Sequence, residues 1–145
     1  MVKCPEGTKK IFYSWSEYLE LVEKLGKILE GKKFDFIVAV KRGGWLIGVI
    51  LSHKLRVPLV DVDDSESLGG EYGCWKYVLG RKKRLLVVDD VSDSGNTLKV
   101  VLKKLGSCYE IKVATLFRKP WTKVEPDYYV KSTRNWVVWP FEVDE

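Results

Sequence analysis

Histidine occurs once in these 145 residues, methionine once and cysteine three times. One histidine beside Cys4, Cys74 and Cys108, which are far apart and form no C-x-x-C pair, does not make a zinc site. An odd number of isolated thiols suits a reducing, cytoplasmic setting better than a disulfide framework. No apolar run approaches the roughly 20 residues that cross a bilayer, so no membrane partner is expected. The opening MVKCPEGTKK has no apolar stretch behind its charges, which argues against a secretory leader. Internal repeats, low-complexity tracts and linkers are also missing, and residues 1–145 read as a single domain. An apolar share of 46% excludes a disordered chain. Twenty-five Lys plus Arg against twenty Asp plus Glu leave a charge of +5. That surplus would attract nucleic acid or a small, highly phosphorylated substrate, and composition does not choose between them.

What is present alternates between two kinds of segment. Ser14-Trp15-Ser16-Glu17 has the spacing of a capping box, and Leu21, Leu25, Ile28 and Leu29 follow at helical intervals up to a stop at Gly31. Phe34 to Val40 reads as a short buried strand, Trp45 to Leu55 as a helix, and Val57 to Val62 as extended chain. Asp63 to Gly73 is polar, glycine-bearing and aperiodic, which predicts a long loop, continuing into a hairpin arm at Cys74 to Leu79. Leu85 to Val88 is a strand; Leu98, Val101, Leu102 and Leu105 mark a helix ended by Gly106. Ile111 to Phe117 and Tyr128 to Val130 are strands, and the tail Trp136 to Phe141 is apolar but broken by Pro140. The repetition predicts an α/β fold, a mostly parallel twisted sheet with helices on both faces and its ligand at the carboxyl ends of the strands.

The richest stretch is Leu85 to Thr97, LLVVDDVSDSGNT. Four apolar residues lead to Asp89 and Asp90, then Asp93, then Ser94-Gly95-Asn96-Thr97 at the start of a helix. Such a turn aims several backbone N–H groups one way, with the helix dipole behind them, and suits a terminal phosphate. Hydroxyls of Ser94 and Thr97 add donors, and Gly95 permits an approach that a Cβ would block. No G-x-x-x-x-G-K-[ST] is present, so this is not a Walker A loop. Carboxylates beside a phosphate repel it unless something lies between. Sugar hydroxyls donate to acids and Mg²⁺ bridges acid and phosphate, which points to a phosphorylated sugar bound with Mg²⁺. An ordinary Asp-Ser-Gly turn explains each aspartate singly, but not the combination.

LLVVDDVSDSGNT resembles the phosphoribosyl-pyrophosphate (PRPP) signature of the type I phosphoribosyltransferases, in which four apolar residues precede two acids and a small-residue loop ends in Gly-x-Thr. The resemblance spans about Phe34 to the C-terminus. It implies that Asp89 and Asp90 hold the ribose hydroxyls and Mg²⁺, and that Asp93, Ser94, Gly95, Asn96 and Thr97 surround the ribose 5′-phosphate. Val38 to Trp45 (VAVKRGGW) looks like the family's pyrophosphate loop. There Lys41 and Arg42 supply charge, Gly43 and Gly44 let amides approach the leaving group, and a non-proline cis peptide is common. Thr115 to Trp121 and Arg134 to Glu142 resemble the base-binding parts of the 6-oxopurine (xanthine-guanine and hypoxanthine-guanine) branch. Lys119 then donates to purine O6, Trp136 stacks on the ring and Val137 contacts its 2-side, under a small hood built from the N- and C-terminal segments. Trp139 reads as ordinary packing.

The implied reaction joins guanine, hypoxanthine or xanthine to the ribose C1 of PRPP, giving a nucleoside monophosphate and pyrophosphate in purine salvage. Asp93 is expected to act as acid/base at purine N7. The resemblance also implies a homodimer paired through the helix that carries Trp45, Leu46, Ile47, Val49 and Ile50. The competing reading is a PRPP-binding regulator with weak or no transferase activity. It does not require Asp93 and Lys119, and a basic nucleic-acid-binding module explains none of the motifs. The 63–73 loop departs from the family in having no basic residue, leaving Ser67, Tyr72 and Lys76 as candidates there. His53 reads as a surface or packing residue, and Arg81 to Arg84 (RKKR) as a solvated turn at the far end of the signature strand.

Overall fold

The computed structural model describes residues 3–61, 77–78 and 81–143. In chain order these form β1 (Lys10–Phe12), α1 (Trp15–Leu29), β2 (Phe36–Ala39), α2 (Gly43–Leu55), β3 (Leu59–Asp61), β4 (Tyr77–Val78), β5 (Arg81–Lys82) and β6 (Arg84–Ser92). Then follow α3 (Asn96–Leu105), β7 (Glu110–Arg118), β8 (Tyr128–Ser132) and β9 (Trp136–Val138). The sequence-derived candidates of the 63–76 loop, Ser67, Tyr72 and Lys76, all lie outside the described residues.

Five strands make one sheet in the order β3-β2-β6-β7-β8, and every pairing in it is parallel. Side chains alternate across it as the pleat requires. Ile37, Leu86, Val88, Ala114 and Leu116 pack with Tyr18, Leu21, Leu25 and Leu29 of α1 and Ile47 and Leu51 of α2. Val38, Leu85, Val87 and Val113 pack on the other face with Leu98, Val101 and Leu105 of α3. Both faces are therefore covered, as the near-continuous apolar runs of β2 and β6 predict.

Helix α1 starts where its sequence says it should. The Ser14 hydroxyl accepts from Glu17 N–H at 3.1 Å, and Ser14 N–H donates to Glu17 Oε1 at 3.0 Å, closing the capping box. Just beyond its last turn, Gly31 takes φ +78°, a left-handed conformation that favours glycine.

Four expectations need correcting. Helix α2 begins at Gly43 rather than Trp45, so both glycines lie in its first turn. Strand β6 runs on through both acids to Ser92. The RKKR cluster is no solvated turn: Arg81 and Lys82 pair antiparallel with β4, and Arg84 opens β6. Lys83 is buried, its ammonium 5.0 Å above the Phe36 ring, where a cation is attracted to the aromatic face. Finally, the N-terminal segment supplies a strand that its three residues gave no reason to expect. β1 pairs in parallel with β9, Lys10 opposite Trp136 and Phe12 opposite Val138, and this small sheet is the hood.

Candidate active site

The chain leaves β2 through α2 toward β3 on one side, and leaves β6 through α3 toward β7 on the other. The carboxyl ends of β2 and β6 are thus a topological switch point, where parallel α/β sheets form their ligand crevice. Lys41, Arg42, Gly43 and Gly44 follow β2, and Asp89 to Thr97 end β6 and open α3.

The start of α2 and the end of β6 are pressed together by the absence of side chains. A Cβ on Gly44 would lie 2.3 Å from Val88 O, and one on Gly43 would lie 2.5 Å from the Asp90 carboxyl carbon. These glycines seat the first turn of α2 against β6, a packing reason beside the ligand-based one. Val40 N–H donates to Val88 O at 2.9 Å, and the Lys41–Arg42 peptide that follows is cis. Lys41 pairs with Asp61 at the end of β3 and lies 5.8 Å from the Trp45 ring centre.

Asp89 and Asp90 are consecutive in a strand and so face opposite sides of the sheet. Asp90 lies on the α1–α2 side. One oxygen accepts Val91 N–H at 2.8 Å, and the other accepts the Trp139 indole N–H at 2.8 Å. Trp139 is 2% exposed and stacks on Phe117 with ring centres 5.6 Å apart, so it packs as expected and also fixes Asp90. Asp89 is buried and accepts Asp90 N–H at 2.8 Å. Burial, and then the neighbouring Asp90 charge, hold the Asp89 carboxyl well above its ordinary pKa.

Beyond the acids, Gly95 takes φ +88°, and a Cβ there would lie 2.8 Å from Val124 N. No side chain caps α3, and Ser94 Oγ accepts Asn96 N–H at 3.2 Å. The exposed Ser94, Asn96 and Thr97 surround a helix amino terminus that presents N–H groups to solvent, the geometry of an anion site.

Lys119 lies just past β7, buried, with its ammonium donating to Asn135 O beside Trp136 and Val137. The structure therefore joins the two segments that sequence reasoning assigned to one ligand. Burial lowers the Lys119 pKa, against the opposing pull of the Asp93 carboxylate. Sequence reasoning missed Trp121. It is half exposed, and its indole N–H donates to Asp93 Oδ1 at 2.8 Å. The signal was an aromatic two residues after Lys119, in a Lys-Pro-Trp-Thr turn. Glu142 was also missed. Its carboxylate accepts Trp139 N–H at 3.2 Å, and burial raises its pKa against the pull of that hydrogen bond and, less, of Arg42. His53 sits in the last turn of α2, away from these strand ends.

Acids, an uncapped helix start and a basic turn converge at a switch point, an arrangement suited to a phosphorylated sugar. The sequence profile of the phosphoribosyl transferase domain matches residues 14–145. The chain belongs to the phosphoribosyltransferase family, in its 6-oxopurine branch. The xanthine-guanine phosphoribosyltransferase of Gluconobacter oxydans is 30% identical over 152 residues, covering 97% of this chain and 89% of its own. A solved purine phosphoribosyltransferase from Pyrococcus horikoshii has 36% identity and a TM-score of 0.74, over 92% of this chain and 95% of its own. An adenine phosphoribosyltransferase of Thermoanaerobacter is 31% identical, but over only 59% of this chain. Among the described residues, no helix is long and apolar enough to cross a membrane.

Proposed function

We propose that this protein transfers the 5-phosphoribosyl group of PRPP to a 6-oxopurine base and releases pyrophosphate. The observation that carries the reading is the meeting of Lys119, Asp93 and the Trp136–Val137 segment beside the acid pair of β6.

As the C1–O bond of PRPP breaks, positive charge grows on the ribose ring and negative charge on the departing pyrophosphate. Arg42 and Lys41 stabilise the second. The N–H groups at the start of α3, with the Ser94 and Thr97 hydroxyls, anchor the 5′-phosphate, so that C1 is held in line with the base nitrogen. Asp89 and Asp90 take the ribose hydroxyls. Asp93 holds or removes the proton at purine N7. Lys119 donates to O6, Trp136 covers the ring and Val137 meets its 2-side.

The residues fit Mg²⁺. Two oxygen acids, Asp89 and Asp90, stand at the end of β6 beside the candidate anion site. That is the pattern of an ion held by one or two carboxylates and substrate oxygens. Asp89 and Asp90 are its protein-side holders, and when bound it supplies neutralisation of the phosphate charge. The reading includes a two-fold homodimer formed along α2 and action in the cytoplasm.

The test is an activity panel with guanine, hypoxanthine, xanthine and adenine, each with PRPP and Mg²⁺. Nucleotide formed from at least one oxopurine supports the reading. PRPP binding with no transfer to any base overturns it in favour of a regulator.

A further inference from the structure

Trp121 is placed by more contacts than an exposed ring needs. Thr122 N–H donates to Lys119 O at 3.1 Å, closing a turn over Lys119-Pro120-Trp121-Thr122 with proline at its second position. The turn is fastened to the signature strand and its loop. Ser92 Oγ lies 2.7 Å from Thr122 Oγ1 and donates to Val124 O at 2.8 Å, while Lys123 N–H donates to Ser94 O at 3.1 Å. Lys119 N–H also donates to Ser92 O at 2.9 Å. These bonds leave the Trp121 backbone little freedom, so its half-exposed side chain is aimed rather than loose.

The indole makes contacts of two kinds. Its N–H donates to Asp93 Oδ1 at 2.8 Å, a charge-assisted hydrogen bond to the residue given the purine proton. Its ring faces two cations, the Lys119 ammonium 5.7 Å from the ring centre and the Arg134 guanidinium at 5.9 Å. A cation within about 6 Å of an aromatic face is attracted to it. Trp121 thus touches both the acid/base and the O6 donor of the proposed reaction.

We infer that Trp121 is a positioning residue, holding the Asp93 carboxylate toward the purine and steadying Lys119 at its O6. The inference rests on the transferase reading above. With the indole N–H occupying Oδ1, the other oxygen, Oδ2, is the one turned to the base. The ring covers Lys119, whose ammonium would otherwise have a wider choice of directions.

Two substitutions separate the contacts. Trp121→Phe keeps a ring for the cations and removes the N–H donor. It should lower kcat about tenfold, a change of about 1.4 kcal/mol in barrier, and leave the KM values for base and PRPP within twofold. Trp121→Leu removes both contacts. It should lower kcat similarly and also raise the KM for the base severalfold, with PRPP unchanged. Since Trp121 is half exposed, neither change opens a core cavity. A second readout does not depend on turnover. The Trp121 indole resonance, assigned in ¹H–¹⁵N spectra through its loss in Trp121→Phe, should shift in Asp93→Ala. An indole indifferent to Asp93→Ala, or an active wild type whose Trp121→Phe variant keeps full kcat, overturns the inference alone. A wild type that transfers to no base overturns the functional reading beneath it.

Discussion

In the proposed reaction Asp93 and Lys119 divide the chemistry of the base, and each can be removed separately. Asp93→Asn keeps the shape of the side chain and loses its capacity to take a proton. Turnover should fall by roughly 10²–10⁴-fold, the span typical of acid–base catalysis, with PRPP affinity retained. Steady-state kinetics at saturating base check this, and full activity in the variant removes Asp93 from the role. Lys119 carries donors and no acceptor lone pair. In the proposed complex purine O6 accepts from it, whereas the exocyclic amino group of adenine would meet it donor to donor. A site built around one hydrogen bond rejects the partner that cannot make it. Lys119→Ala should therefore weaken oxopurine binding and narrow the preference over adenine, and a wild type using both equally well refutes the assignment. Burial of the same ammonium has a stability consequence. Its pKa in the fold lies below the unperturbed 10.5, so between the two values the unfolded chain binds the extra proton. The stabilisation is therefore complete above the unfolded value, is lost as pH falls through that window, and changes no further below it. Denaturation midpoints measured from about pH 7 toward the ordinary lysine pKa should rise less in Lys119→Met than in wild type.

Single positions also decide whether whole elements sit correctly. Gly44→Ala places a methyl against Val88 O, which is backbone and cannot turn aside. The first turn of α2 must lift off β6, and overpacking of this kind destabilises by about 1–3 kcal/mol. A chemical denaturation midpoint no lower than wild type would show that α2 can shift freely. How much could be read beforehand follows the same division between local and distant causes. The capping box of α1, the left-handed Gly31 and the buried strand of β6 were legible because neighbours within a few residues produce them. The two candidate segments, Lys41 to Gly44 after β2 and Asp89 to Thr97 from the end of β6 into α3, also stand out by their local spacing. β1 was not legible, since Lys10–Phe12 is a strand only because β9 lies beside it. The bond from Trp139 to Asp90 spans 49 residues, and no spacing rule announces it. Trp121 reads in isolation as an aromatic in a surface turn. Only the fold brings Asp93 to its indole. Lys83 misled for the opposite reason, because a cation in a basic run looks solvated until Phe36 is seen beneath it.

At the scale of the whole molecule, α2 bears on both packing and assembly. Ile47 and Leu51 are buried in the core while Trp45 is 39% exposed at the helix start. Apolar surface remains after the internal core is satisfied, and two-fold pairing is the commonest way such surface is covered. Sedimentation should find a dimer at micromolar concentration, and a monomer there refutes the homodimer. The tryptophans have a different consequence. Six occur in the chain. Trp45 lies by Lys41, Trp121 donates to Asp93, Trp139 donates to Asp90, and Trp136 follows the residue that holds Lys119. The proposed binding surface is therefore ringed by the molecule's own fluorophores. Its intrinsic emission should change when PRPP or a purine enters, with no label attached, and replacing each of these four indoles in turn would tell which substrate each one senses.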